Sequence, residues 1–582
     1  MNASNGASGR SRRALTASEA IESVVRYHDG TKHHLHGFAR SLGFLDWASQ
    51  PHPFRSFDGA PTLSLYPAPP PSAAAAGLPR VTYDQLFGDQ AVTAPVTAAA
   101  IGDFLRHSLG LSAWKVYLDS RWSLRVNPSS GNLHPTEAYI VTGPLADLSD
   151  TSGVWHYAPD RHVIERRCAF DRDAWSRLGA GESADAFFVV LTSIHWREAW
   201  KYGERAFRYC QHDLGHAIAA LRLSAALFGW RLTIQAQWPQ HAVATLTGIV
   251  RDEDYVDAER EEPACVLLVG VGSKPAQSLA ADASFLDAVG NGRWFGRASQ
   301  LSTDHVEWTF IDEVARSTED IGHPDRAGNT GEAPAGNWRQ TGALPADRGL
   351  DARALMRQRR SAVAFDGVSS TDRQRFIRLL SRAMPGHRPP WDAMWWSPRI
   401  HLVLFVHRVT GFESGLYLLA RDPLAVSRLT AALRREFLWE PAGEGLPLWL
   451  LQRGDYQQRA RRLSCDQDIA AEGFFSLGML ADFERSLHEE GPSFYRQLFW
   501  ESGVIGQVLY LEAEAAGARA TGIGCFYDDP VHELLGLDGH AFQSLYHFTV
   551  GMPVEDVRLT TEPGYEWETF QPSARIHPSP SA

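Results

Sequence analysis

Residues Phe207–Gly229 (FRYCQHDLGHAIAALRLSAALFG) and Tyr495–Gly517 (YRQLFWESGVIGQVLYLEAEAAG) are two versions of one helix. A shift of 288 residues carries Arg208 onto Arg496, Asp213 onto Glu501, Gly215 onto Gly503, Ala225 onto Ala513 and Gly229 onto Gly517. Both segments repeat apolar residues at helical spacing, keep small residues on one face, and end in the glycine expected just past a helix C-terminus. A long helix that is apolar nearly all round has to be buried. The flanks repeat as well. EAYIVTG and GVWHYAPDRHVIERR match IHLVLFVHRV and GLYLLARDPLAVSRL upstream, and ACVLLVGVGSKP matches YHFTVGMPVED downstream. The period is far too long for a solenoid, so the chain reads as one domain used twice.

Length agrees, because 582 residues exceed what one hydrophobic core serves. A net charge of −12 argues against a nucleic-acid partner held by phosphate contacts. No apolar run approaches the ~18 residues of a membrane span, since Arg222 interrupts even AIAALRLSAALF. The opening MNASNGASGRSRRALTAS has no apolar core of a secretory signal. The five cysteines are scattered and form no CxxC pair, which suits a reducing cytoplasm rather than a disulfide framework.

Composition breaks set the boundaries. Residues 1–18 and 566–582 read as disordered ends, 19–310 as the first domain, 311–350 as a linker, and 351–565 as the second domain.

One stretch has no second copy: Asn127–Val141, NPSSGNLHPTEAYIV, a stiff loop of hydroxyls and amides opening onto a strand. Together with YHDGTKHH (27–34), WKYGERAFRY (200–209) and RRSAVAF (359–365), it resembles the nitroreductase superfamily of flavin enzymes, and within it the SagB-type, or azoline dehydrogenase, branch. The resemblance implies an α+β fold: two nitroreductase-like α/β sandwich domains, each a mixed sheet of four or five strands flanked by helices, fused as an intramolecular pseudo-dimer. It implies FMN, held in such dimers by parts of both subunits.

Those parts are divided here between the halves. Arg359, Arg360 and Ser361 stand in the second half, and FGDQAVTAP at the matching first-half place has no arginine. Pro128, Ser129, Ser130 and Asn132 stand in the first half, and the second-half counterpart reads PPWDAMWWSPR. One composite FMN site is expected, with a degenerate mirror image. Arginine suits the phosphate because its fork pairs two oxygens at once. Arg125, closing the R-x-S-x-R run from Arg121, is an alternative grip, and Arg558 after VGMPVED a supplementary cation. The turn ATGIGCF brings Gly522 and Gly524, which let backbone approach the ring; its counterpart RLTIQAQ has none.

Lys201 and Tyr202 match the Lys-Tyr pair of azoline dehydrogenases. That match implies proton abstraction by Lys201, a donor or relay role for Tyr202, hydride transfer to FMN, and reoxidation by dioxygen. The substrate would be an azoline or amino-acid-derived group in a peptide or natural-product pathway, with a YcaO-type cyclodehydratase acting before it. The alternatives are an NAD(P)H-dependent nitro or quinone reductase and a flavin-free scaffold. His33, His34 and His36 lack carboxylate partners, and His212 with His216 lacks the glutamate of HExxH, so no metal site is expected.

Overall fold

Both predicted helices form, as Ala206–Ala226 and Phe494–Ala515, and all of the first and all but the last residue of the second are buried. The computed structural model describes residues 15–65, 80–88, 93–179, 185–271, 279–323, 325, 349–443 and 445–570, with residues 569 and 570 described by their backbone alone. Each helix ends where Gly229 (φ +67°) and Gly517 (φ +77°) turn left-handed.

The helices cross backbone on backbone. A Cβ added at Gly215 would overlap the Trp500 carbonyl oxygen and stand 2.9 Å from the Cα of Gly503; one added at Gly503 would overlap the His212 carbonyl oxygen and stand 2.8 Å from the Cα of Gly215. Gly215 pairs with Gly503 under the 288-residue shift, and His212 with Trp500, so the contact is reciprocal, as at the axis of a two-fold dimer. The principal core runs through it, joining Phe207, Leu214 and Ile218 to Phe499, Val504 and Val508 in one continuous cluster.

Around this axis each half builds the same sheet. The first runs Arg293–Trp294, Val163–Phe170, Ser152–Ala158, Thr136–Thr142, Ala186–Ser193, Glu262–Val271, Trp230–Ile234, with Thr62–Ser64 joining as an eighth strand. The second runs Glu440–Pro441, Leu448–Arg453, Gly415–Leu419, Ile400–Val406, Phe475–Asp482, Phe542–Gly551, Arg519–Ile523. The α+β class is as expected, but these sheets of eight and seven strands replace the mixed sheets of four or five. Every pairing within them is antiparallel. Hairpin connections such as that from Ser152–Ala158 to Val163–Phe170 require antiparallel neighbours, whereas Ala186–Ser193 and Glu262–Val271 pair antiparallel with the central helix and Trp230–Ile234 between them in sequence. No helix among the described residues is long and apolar enough to cross a membrane.

The domain limits also shift. Residues 311–317, expected as linker, belong to a helix, Thr309–Ser317, that is the second-half partner of Ala17–Gly30. Arg208 donates from Nε to Thr31 Oγ1 (3.0 Å) just past one helix, and Arg496 from Nε to Thr318 Oγ1 (2.9 Å) just past the other. The Ser317 hydroxyl donates to that of Ser23 at 2.8 Å. Nine residues with only Phe310, Ile311, Val314 and Ala315 apolar are too brief a pattern to stand out beside a Pro/Gly-rich tract. At the far end, Glu566–Phe570 is helical rather than disordered, and Glu568 pairs with Arg106 and Arg357. Just before it, Thr560–Pro563 joins the first half as the outer strand beside Leu111–Tyr117 and Ser120–Arg125. Residues 1–14, 326–348 and 571–582, within the expected tails and linker, lie outside the described residues.

Valine at Gly215 or Gly503 has nowhere to put its side chain except into the opposite backbone. Gly215→Val or Gly503→Val is expected to lower stability by more than ~3 kcal/mol in urea unfolding. Gly290→Ala, with nothing within 4 Å, should stay within ~0.5 kcal/mol. Equal midpoints for all three would refute the crossing.

Candidate functional site

The loop after Ser120–Arg125 is shaped by three left-handed positions among four residues, Gly131 (φ +59°), Asn132 (φ +62°) and His134 (φ +54°). Two of these are not glycine, so side chains must hold the conformation. Asn132 Nδ2 donates to the Ser123 carbonyl (2.9 Å), and its Oδ1 meets His134 Nε2 (2.9 Å). His134 N donates to Ser129 Oγ (2.8 Å). Ser130 donates to Asp213 Oδ1 from both its amide and its hydroxyl, at 3.0 and 3.1 Å. The hydroxyls and amide of Ser129, Ser130 and Asn132 thus first serve the loop itself, with both serines left half-buried at the surface it presents.

Against the root of this loop lies the second half. Arg359, at the end of the helix Ala352–Gln358, donates from Nε to the Val126 carbonyl (3.1 Å) and from Nη2 to that of Arg125 (3.0 Å). Arg360 Nη2 reaches the Ser112 carbonyl, also in the first half, at 3.0 Å. Ser361 Oγ lies 2.9 Å from Tyr510 Oη, which accepts from the Gly522 amide at 2.9 Å. Ala362 N donates to the Ala520 carbonyl at 3.1 Å, so Arg359–Ser361 runs beside the glycine turn.

The third element is the helix His195–Tyr202, carrying Lys201 and Tyr202, both half-buried. A Cβ at Gly131 would meet Tyr202 Oη at 2.6 Å, and the Tyr202 ring stands 4.5 Å from that of Tyr209. A Cβ at Gly524 would overlap the Tyr209 ring, and one at Gly522 would overlap the Tyr546 hydroxyl. The loop, the Lys-Tyr helix, the Arg-Arg-Ser segment and the glycine turn therefore meet at one place between the halves. Beneath them His212 stacks on Tyr546 at 4.1 Å.

Two expected residues stand apart. The Arg125 guanidinium is buried on the far side of its strand, where Nη2 donates to the Pro53 carbonyl (2.6 Å) and the group lies 5.3 Å from the Phe54 ring. Arg121, the other arm of that alternative grip, pairs with Glu562 over Trp114. Arg558 is exposed and paired with Asp556 at 2.7 Å. Instead, Lys115, which donates to Thr561 Oγ1 at 2.7 Å, and Arg519, paired with Glu555 at 2.6 Å, bring their charges to Arg360. Burial draws the Lys115 ammonium below its usual range, and burial followed by repulsion from Arg359 draws the Arg360 guanidinium down to about 9. Partly desolvated cations gathered this way favour an anion. Nothing in SAWKVY or GARA marks these two positions.

Two acids were also not foreseen. Burial pushes the Asp213 carboxyl up to about 7 against the hydroxyl and amide donors that face it. Burial, with Asp213 adding, raises Glu198 well above its usual range against the pull of Lys201, and neither Glu198 oxygen has a partner. Only Asp213's place in the repeat could have drawn attention. Its counterpart Glu501 accepts from the Arg399 and Ile400 amides and is neutralised by Arg421.

The mirror-image place is filled. Trp391, Trp395 and Trp396 are buried there, and Arg222, counterpart of Tyr510, makes a two-pronged pair with Asp392 at 2.8 and 2.7 Å. A polar cavity of about 490 Å3 lies elsewhere, bordered by Arg55, Phe57, Asp160, Arg161 and Glu165, and no expected site residue lines it.

Comparison with known proteins agrees with this duplicated plan. The solved structure of a candidate nitroreductase from Anabaena variabilis overlays 91% of this chain and 99% of its own with a TM-score of 0.64 at 21% identity, a likeness of fold. A candidate nitroreductase of Methanocaldococcus jannaschii is 27% identical over 108 residues, 18% of this chain; the chain spans about half the length of that relative. A chain of the E. coli microcin synthetase McbBCD complex aligns over 45% of this one at 17% identity, with a TM-score of only 0.25. The model of the Nitroreductase family matches residues 92–271 and again 356–552. With more than half its length so matched, in two successive copies, the chain belongs to the nitroreductase family.

Proposed function

We propose that the chain is an FMN-dependent dehydrogenase of the SagB type with one flavin site, built from both halves. The observation that carries this reading is Arg359. It fastens the second half to the root of the first half's loop through two hydrogen bonds, yet its Nη1 is buried and without a partner. A buried guanidinium nitrogen left unsatisfied costs free energy unless a ligand completes it. The surroundings fit FMN: cations at Arg360, Lys115 and Arg519 for the phosphate, a half-exposed glycine turn for close backbone approach, and Ser129, Ser130 and Ser361 at the rim. FMN would supply the two-electron acceptor.

The remaining work falls to side chains. Lys201 is the general base, drawing a proton from a carbon beside a C=N group, and Tyr202 donates toward the anion that develops. Burial raises both Glu198 and Asp213, one layer below, above the usual carboxylate range, which favours their neutral forms beneath the loop. The substrate class is an azoline, supplied by a cyclodehydratase of the YcaO kind.

Protein purified without added flavin should absorb near ~450 nm, and Arg359→Met should retain at least ~10-fold less FMN. Lys201→Ala should stay yellow while turnover of a peptidyl thiazoline falls ~10²–10⁴-fold. Colourless protein that ignores added FMN would end the flavin reading, and anaerobic bleaching by NADPH but not by thiazoline would leave a reductase.

Asp213 sets a pH dependence of its own. With a folded-state value near 7 against 3.8 in the unfolded chain, the folded protein keeps a proton between about pH 4 and pH 7 that the unfolded chain has released. Stability from this group is full below pH 4 and is lost as pH rises through 7, by on the order of 4 kcal/mol. Asp213→Asn should therefore gain on the wild type steadily from pH 4 to 7.5 in urea unfolding and hold level above. A gap that does not change with pH would contradict the assignment.

A further inference from the structure

Three of the five cysteines are sealed in the core, but Cys465 and Cys525 are half-buried and lie 60 positions apart on two segments that hydrogen bonds hold side by side. Two hydrogen bonds bracket the pair: Tyr527 N donates to the Leu463 carbonyl at 2.9 Å, and Gln467 Nε2 to the Cys525 carbonyl at 3.0 Å. Two successive left-handed residues, Cys465 (φ +54°) and Asp466 (φ +57°), make the turn that presents the first thiol to the second. The His33 imidazole adds its pull on the Cys525 thiol, lowering it. His33 Nδ1 accepts from the Ala39 amide (3.0 Å), which leaves its Nε2–H to donate. Arg205 adds positive charge, its Nη2 at 3.2 Å from the carbonyl of Gly524.

We propose that Cys465 and Cys525 are a redox-active thiol pair that closes to a disulfide by exchange with small-molecule disulfides, Cys525 attacking and Cys465 resolving. The two sulfurs differ as the two roles require. The Cys465 thiol, then His33 and Arg205, bring Cys525 down to about 5, so it is a thiolate at neutral pH, and the thiol that donates to it is held well above its usual range. The thiolate is the nucleophile in exchange. Cys525 attacks one sulfur of the external disulfide, forming a mixed disulfide and expelling one small thiolate. That thiolate takes the proton of Cys465, which attacks the Cys525 sulfur and expels the second. Two protein thiols are oxidised, one external disulfide is reduced to two thiols, and nothing else is consumed. Cys525 directly follows Gly524 of the glycine turn.

The test uses full-length protein in oxidised glutathione, blocked with iodoacetamide and digested without reduction. The expected product is a Cys465–Cys525 cross-linked peptide, lighter by two hydrogens than the separate thiols and reversed by reduced glutathione. In Cys465→Ser the adduct should stop at glutathione on Cys525, and in Cys525→Ser, Cys465 should stay free. In untreated wild type at pH 6, Cys525 should be alkylated at least ~10-fold faster than Cys465, a readout that needs no variant. Two free thiols after oxidised glutathione in folded protein, or equal alkylation rates, would overturn the pair.

Discussion

Two glycines on two buried helices, each leaving no room for a side chain on the other, fix how the halves of this molecule meet. Because Gly215 and Gly503 let the backbones touch, the helices bring everything else to fixed distances: Asp213 beneath the serine loop, Tyr510 beneath Ser361, and Arg359 against the carbonyls of Arg125 and Val126. A larger residue at the crossing would separate the halves by a side chain's width. At a place assembled from four elements drawn from both halves, that separation is the difference between contact and none.

The repeat also shows how one fold position takes two fates. Asp213 and Glu501 both brace the entrance to a strand from the central helix. Glu501 is answered by Arg421 and is wholly structural. Asp213 is answered by hydroxyl and amide donors with only a weaker pull from Arg125, so burial leaves it near 7. The same divergence runs through the neighbouring positions, where tryptophans and an Arg222–Asp392 pair close one side while glycines and serines keep the other open.

Much of this was legible in the residues. The duplicated helix, the α+β class and the meeting of the serine loop with the Arg-Arg-Ser segment followed from the repeat and from which half had kept which motif. Side-chain direction was not legible. Arg125 and Arg558 sit next to informative motifs in sequence but point elsewhere: Arg125 because adjacent residues of a strand face opposite ways, Arg558 because it lies in a turn folded back on Asp556. Lys115 and Arg519 come to the cleft through strand pairing, and Glu198 through helix packing, neither of which leaves a local signature. The short helix Thr309–Ser317 escaped because its place in the plan is declared by Arg496, far along the chain.

The lacing of the halves has a consequence for how the molecule is made. The helix Ala206–Ala226 is buried on every side only once Phe494–Ala515 exists, and Leu111–Tyr117 gains its outer neighbour only from residues 560–563. At ribosomal speeds of ~5–20 residues per second, the first helix waits roughly 15–60 s for its partner to emerge. During synthesis the nascent first half presents an apolar surface that stays uncovered until the second half emerges to bury it.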